Sequence, residues 1–212
     1  MPMVMSELTE LRKLTELREQ AASCTACELY AGATQTVFGA GREGASIVLA
    51  GEQPGDQEDL QGQPFVGPAG KLLDQALQRA GVSREDAYVT NVVKHFRFTQ
   101  RGKRRIHQTP GIEHVRACLP WLRAELRVVD PNLLVTLGAT AAKSLLGSSF
   151  RLTHHRGELL EFDGLPLLAT VHPSAVLRAP DERRDEMFDG LVADLELAGR
   201  TAVSRAGPPE AE

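Results

Sequence analysis

Ser46-Ile47-Val48-Leu49-Ala50, followed at once by Gly51-Glu52-Gln53-Pro54-Gly55, is the stretch on which the reading of the fold turns. The apolar run is too short for a buried helix and does not alternate. It therefore suits a strand covered on both faces, as in a parallel sheet. The Gly/Pro turn ends the strand and leaves a carboxylate and an amide at its carboxyl end. Outward from there the same unit recurs. Pro68 opens a helix with an apolar face of Leu72, Leu73, Ala76, Leu77 and Ala80, and Gly81 stands where a helix-closing glycine belongs. Ala87 to Val93 reads as a second strand, then a polar loop from Arg97 to Pro110 and a helix from about 112 to 128. Leu133 to Leu137 is a third strand and Ala139 to Leu146 a helix closed by Gly147. Leu167 to Val171 is a fourth strand, ending at His172-Pro173-Ser174, and Glu182 to Leu197 is the last helix. Leucines at 8, 11, 14 and 17 add an N-terminal helix over residues 6–20. Alternating strands and helices predict an α/β fold: a three-layer α-β-α sandwich around a short, mainly parallel four-stranded sheet. Residues 1–200 are expected to form a single domain and 201–212 a flexible tail.

The chain has 212 residues, 42% of them hydrophobic and 25% charged, which excludes wholesale disorder. No apolar run approaches the roughly 20 residues of a membrane helix. The N-terminus lacks the apolar core of a signal peptide, and three cysteines are too few, and odd in number, for a secreted disulfide scaffold. These features predict a cytoplasmic protein with no membrane partner, and nothing in the composition requires more than a monomer. The net charge of −4 hides a local asymmetry. Between Ala87 and Ile112 there is no acidic residue, while Lys94, Arg97, Arg101, Lys103, Arg104 and Arg105 all fall there. Such a block is either a phosphate-facing surface or a solvated loop.

In parallel sheets ligands bind beyond the carboxyl ends of the strands, and three polar motifs follow strands: Gly51–Gly55, the basic loop, and His172-Pro173-Ser174. Asn91, at the end of the second strand, can offer both a donor and an acceptor to a ligand edge, or can satisfy a turn. Phe65 in a Gly/Pro-rich loop can stack on a base or plug the core. Cys24-x-x-Cys27 is a half-site for a metal or cluster, or a pair of inert thiols. Cys118 is the one other thiol, so a four-ligand site needs another residue, with His95 and His114 as candidates.

Taken as an ordered set, Gly51-Glu52-Gln53-Pro54-Gly55-Asp56, Pro64-Phe65-Val66-Gly67-Pro68-Ala69-Gly70, Val89-Thr90-Asn91-Val92-Val93-Lys94 and His172-Pro173-Ser174 resemble the uracil-DNA glycosylase superfamily. The resemblance is to its family 4-like iron–sulfur branch. Two departures resemble the UdgX branch, named for bonding covalently to uracil-containing DNA: Lys94-His95 replaces Lys-Cys, and the loop carries Lys103-Arg104-Arg105-Ile106-His107.

The resemblance implies a 4Fe-4S cluster on Cys24, Cys27, Cys118 and His95, with His95 preferred to His114 because it occupies the aligned position. It implies that uracil, flipped from duplex DNA or presented by a single strand, is stacked on Phe65 and read by Asn91. His172 would donate to the uracil O2, stabilising charge on the departing base. Gln53 and Asp56 would line the sugar side, and Glu58 would crowd the base C5 position. Lys103, Arg104, Arg105 and Arg178 would hold phosphates, making binding weaken as salt rises. His107, oriented by Glu52, would attack C1′, release uracil and stay attached to the DNA in a single turnover. Two other readings stand beside it: a family 4-type glycosylase that turns over, with the loop as a grip, and a non-catalytic, cluster-stabilised DNA-binding module.

Overall fold

The computed structural model describes Leu8 and residues 13–205. Four strands, β1 (Ile47–Gly51), β2 (Ala87–Asn91), β5 (Leu133–Leu137) and β7 (Leu165–Thr170), run parallel in the order β2-β1-β5-β7. β1, β2 and β5 are buried along their whole length, as expected of strands covered on both faces. Between β2 and β5 lies a separate hairpin, β3 (Phe98–Arg101) with β4 (Arg104–His107).

The helices are α1 (Leu14–Ala21), α2 (Leu29–Gly32), α3 (Asp56–Gln61), α4 (Pro68–Arg79), α5 (Ile112–Val129), α6 (Ala139–Leu146), α7 (Leu152–His155), α8 (Pro173–Leu177) and α9 (Asp181–Arg205). Alternate strand residues feed two cores. Val48, Ala50, Leu134 and Ala169 pack with Leu17, Trp121 and Ala142 from α1, α5 and α6. Ile47, Leu49, Leu133 and Val135 pack with Leu73 and Leu77 of α4, Val176 of α8 and Leu191 and Leu195 of α9. This is the expected three-layer α/β sandwich, with helices on both faces of the sheet.

Three expectations need correction. The sheet has five strands, not four: β6 (Leu159–Phe162) pairs antiparallel with β7 at the edge. Its turn is Asp163-Gly164, both at positive φ (51° and 82°), the two-residue geometry that suits the right-handed twist of a hairpin. The segment read as a polar loop over 97–110 contains the β3–β4 hairpin, with Gly102 at φ 57° in its turn. The last helix does not stop at Leu197 but continues to Arg205, because Ala198 and Ala202 still face the core. Residues 201–205, expected in the tail, are thus helical, and 206–212 lie outside the described residues. So does the start of the helix expected over 6–20, Leu8 excepted. No helix among the described residues is long and apolar enough to cross a membrane.

Candidate active site

A cleft of about 690 Å³ opens beyond the carboxyl ends of β1, β2, β5 and β7. Glu52, Gln53, Phe65, Asn91, His107, His172 and Arg178 all line it, although the sequence separates them widely. Two close approaches explain how they converge. Gly51 pairs in register with Asn91, and a Cβ on Gly51 would fall 2.4 Å from Asn91 Oδ1 and 2.9 Å from Phe65 Cζ. Phe65 itself has φ 57°, a strained conformation for a residue with a side chain. Its carbonyl lies where a Cβ on Gly70 would be, 1.6 Å away. Glycine at both positions lets the ring lie against the site, with its centroid 6.1 Å from that of His172.

His172 caps α8. Its Nδ1 accepts the Ser174 backbone N–H at 3.1 Å and lies 2.8 Å from Ser174 Oγ. A nitrogen that accepts carries no proton, so the neutral ring has its proton on Nε2. Burial first, then the charges of Arg178 and His107, push its pKa down to about 4, so the ring is neutral at physiological pH. His107, the last residue of β4, is exposed as a residue. Atoms crowded around its ring, and the Arg178 guanidinium, nevertheless push its pKa below the ordinary histidine value. Glu52 Oε1 is buried with no hydrogen-bond partner among the described residues. Burial raises its carboxyl pKa, and the hydroxyls of Thr140 and Thr109 moderate the rise. Thr140 was not singled out from sequence. It follows the end of β5, the one strand end with no motif assigned, and that position was the available signal.

Several of the expected site residues are engaged by other groups of the protein. Gln53 reaches the cleft, but its amide is taken up by backbone. Nε2 donates to the Arg97 and Gln108 carbonyls, each at 3.1 Å, and Oε1 accepts the Arg97 N–H at 3.0 Å. It clamps the base of the hairpin that carries His107. Asp56 is not among the cleft-lining residues; its Oδ1 accepts from Arg105 Nε at 2.5 Å. Arg105, expected on a phosphate, also donates to the buried Asp59 at 2.5 Å and lies over Phe96 and Phe98. It locks the hairpin to α3. Glu58 faces the cleft, but its two oxygens accept the Gly55 and Gly67 N–H groups and so tie the two loops together. Lys94, part of the basic block, is 1% exposed and paired with Glu125. The exposed cations at the hairpin tip are Arg101, Lys103 and Arg104.

Cys27 and Cys118 perturb each other: the neighbouring Cys118 thiol lowers the Cys27 pKa to about 6, while Cys27 and burial raise that of Cys118. Cys24 Sγ accepts Trp121 Nε1–H at 3.3 Å, three residues along α5 from Cys118. The His95 Nε2 lies 2.9 Å from Thr36 Oγ1, while its Nδ1 is buried with no hydrogen-bond partner among the described residues. Both nitrogens of His114 are occupied, Nδ1 by the Gly111 N–H and Nε2 by Glu28.

Comparison with known proteins matches residues 38–196 to the uracil DNA glycosylase superfamily. A Type-4 uracil-DNA glycosylase from Thermotoga maritima is 37% identical over 182 residues, covering 85% of this chain and 90% of the relative. One from Archaeoglobus fulgidus is 37% identical over 187 residues, covering 84% and 90%. One from Pyrobaculum aerophilum is 36% identical over 184 residues, covering 83% and 90%. With its cleft at the strand ends and a family match over most of its length, the chain belongs to the uracil DNA glycosylase superfamily.

Proposed function

We propose that the protein excises uracil from DNA by breaking the N-glycosidic bond. The observation that carries this reading is the fixed tautomer of His172, whose Nε2–H remains available on a residue that lines the cleft. Uracil, from single- or double-stranded DNA, stacks on Phe65 and offers its edge to the Asn91 amide. As the C1′–N1 bond breaks, its electron pair moves onto the base, and the His172 Nε2–H stabilises the charge growing on O2. Glu52, whose burial raises its basicity, takes a proton from water as the water oxygen bonds to C1′. Uracil leaves as its anion and regains a proton, which balances the one taken by Glu52, and an abasic site remains. Lys103 and Arg104 at the hairpin tip, with Arg178, contact phosphates without reading sequence. The relatives' names support this turnover reading.

A specific observation favours a second reading. His107 lines the same cleft with an imidazole whose pKa burial and Arg178 lower, which favours the unprotonated ring, and such a nitrogen can bond to C1′ in place of water. The protein would then release uracil and remain attached to the deoxyribose. A denaturing gel of protein mixed with a uracil-containing oligonucleotide, beside a thymine control, separates the two. Turnover yields free oligonucleotide with an alkali-labile abasic site. Capture yields a uracil-dependent band that survives heat and detergent, and His107→Ser is expected to lose that band while still excising. Unaltered cross-linking by His107→Ser sinks the role of His107, and DNA left unchanged by the wild type sinks both readings.

A 4Fe-4S cluster on Cys24, Cys27, Cys118 and His95 belongs to the same proposal. Three soft thiol donors suit it, and the unpartnered Nδ1 of His95 is a nitrogen available for a ligand, which His114 lacks. Such a group would supply a cross-link between the segment after α1, the end of β2 and α5. Anaerobically purified protein is expected to contain iron and acid-labile sulfide, and to lose both in Cys118→Ala. Bound zinc in their place would overturn the assignment.

A further inference from the structure

We propose that the buried Lys94–Glu125 pair is a positioning device for Asn91, an inference that rests on Asn91 reading the uracil edge. Asn91 is the last residue of β2. The ladder with β1 ends there, the next amide, Val92 N–H, bonding the Gly51 carbonyl at 2.8 Å. The Asn91 carbonyl accepts instead from Lys94 Nζ at 2.7 Å. That ammonium has three protons and three acceptors: the Asn91 carbonyl, Thr90 Oγ1 at 2.7 Å and Glu125 Oε2. Glu125, fully buried on α5, accepts also from the Gly39 N–H at 3.0 Å, Tyr88 Oη at 2.9 Å and Thr90 Oγ1 at 3.0 Å.

Every polar atom at the centre of this network has a partner among the described residues, and the network meets the cleft at the Asn91 peptide. A buried ion pair is seldom needed for stability, since apolar residues of similar volume often serve as well. What apolar residues cannot do is hold a carbonyl. The ammonium fixes the Asn91 peptide from behind, and with it the direction in which the amide leaves the strand. On the cleft side, the missing Cβ of Gly51 gives that amide its place. Lys94 and Glu125 therefore act through Asn91 and touch no substrate. A displacement of about 1 Å at a substrate-orienting group can cost about 100-fold in rate.

The test is the single-turnover rate of uracil excision from a uracil-containing single-stranded oligonucleotide, with thermal unfolding of the same samples. Lys94→Met with Glu125→Met is expected to excise about 10- to 100-fold more slowly, with a lowered unfolding midpoint because Tyr88, Thr90 and the Gly39 N–H lose their acceptor. The same pair of changes in an Asn91→Ala background is expected to add no further loss. If K94M/E125M fails to fold, K94M/E125Q carries the same expectation, because it keeps acceptors for Tyr88 and Gly39 while lacking the ammonium. A folded variant with an unchanged rate overturns the proposal while leaving the role of Asn91 intact. So does a loss that multiplies with that of Asn91→Ala. Normal excision by Asn91→Ala alone removes the base-reading role, and this proposal falls with it.

Discussion

His172→Ala is expected to slow uracil excision by about 10²- to 10³-fold, the usual loss when one preorganised donor to a developing anion is removed. The size follows from how completely the ring is committed beforehand. The Ser174 N–H occupies Nδ1, so the neutral imidazole presents its proton on Nε2 without rearrangement. Burial keeps it neutral to about pH 4. A neutral donor of fixed tautomer changes nothing in the ground state and gains strength only as charge appears on O2. The pH dependence follows with a definite sign. Glu52 must be ionised to accept a proton, and burial raises its pKa, so activity falls as pH drops through a value above the ordinary glutamate range. His172 is already neutral there, and the acid limb should stay in place in His172→Ala while the plateau drops. A limb that moves with the mutation would mean that His172 titrates in that range. A plateau within a few-fold of the wild type would remove it from the transition state.

Glu125→Ala should be among the most destabilising single substitutions in the chain. Removing one member of a buried pair leaves an uncompensated charge, at a cost of about 3–5 kcal/mol. Lys94, 1% exposed, would lose its counter-charge, while Tyr88 and the Gly39 N–H would lose an acceptor. In a domain of this size that corresponds to a fall in melting temperature of roughly 10 °C. Thermal or urea unfolding followed by circular dichroism measures it. A fall below about 2 °C would show that water enters to solvate the ammonium. The contrast with the double apolar replacement is informative, since one uncovers a charge and the other removes it.

The parallel strands were legible because short, unbroken apolar runs flanked by glycine and proline have few other uses in a chain of this composition. The convergence of Glu52, Asn91 and His172 on one cleft followed from their positions at strand ends. The fifth strand was equally legible in principle, since Asp163-Gly164 between two apolar runs is a strong hairpin signal, but Leu159–Phe162 is short and lies at the edge. The basic block was a harder case. Its cations look alike along the chain, and what sorts them is tertiary: Glu125 from α5 draws in Lys94, while Asp56 and Asp59 from α3 draw in Arg105. The use of the Gln53 amide on hairpin backbone carries no sequence signal either, because its partners lie more than forty residues away.

That clamp separates two properties of the hairpin. Gln53 holds its base and Arg105 its flank, so the reach of the His107 ring is settled before DNA arrives and costs no ordering on binding. The tip, with its turn at Gly102 and Lys103, is restrained by neither. On the proposed reading, lengthening or recharging it is expected to alter how firmly DNA is gripped without moving the imidazole. On that reading, affinity and chemistry are expected to change independently, each through substitutions that leave the other alone.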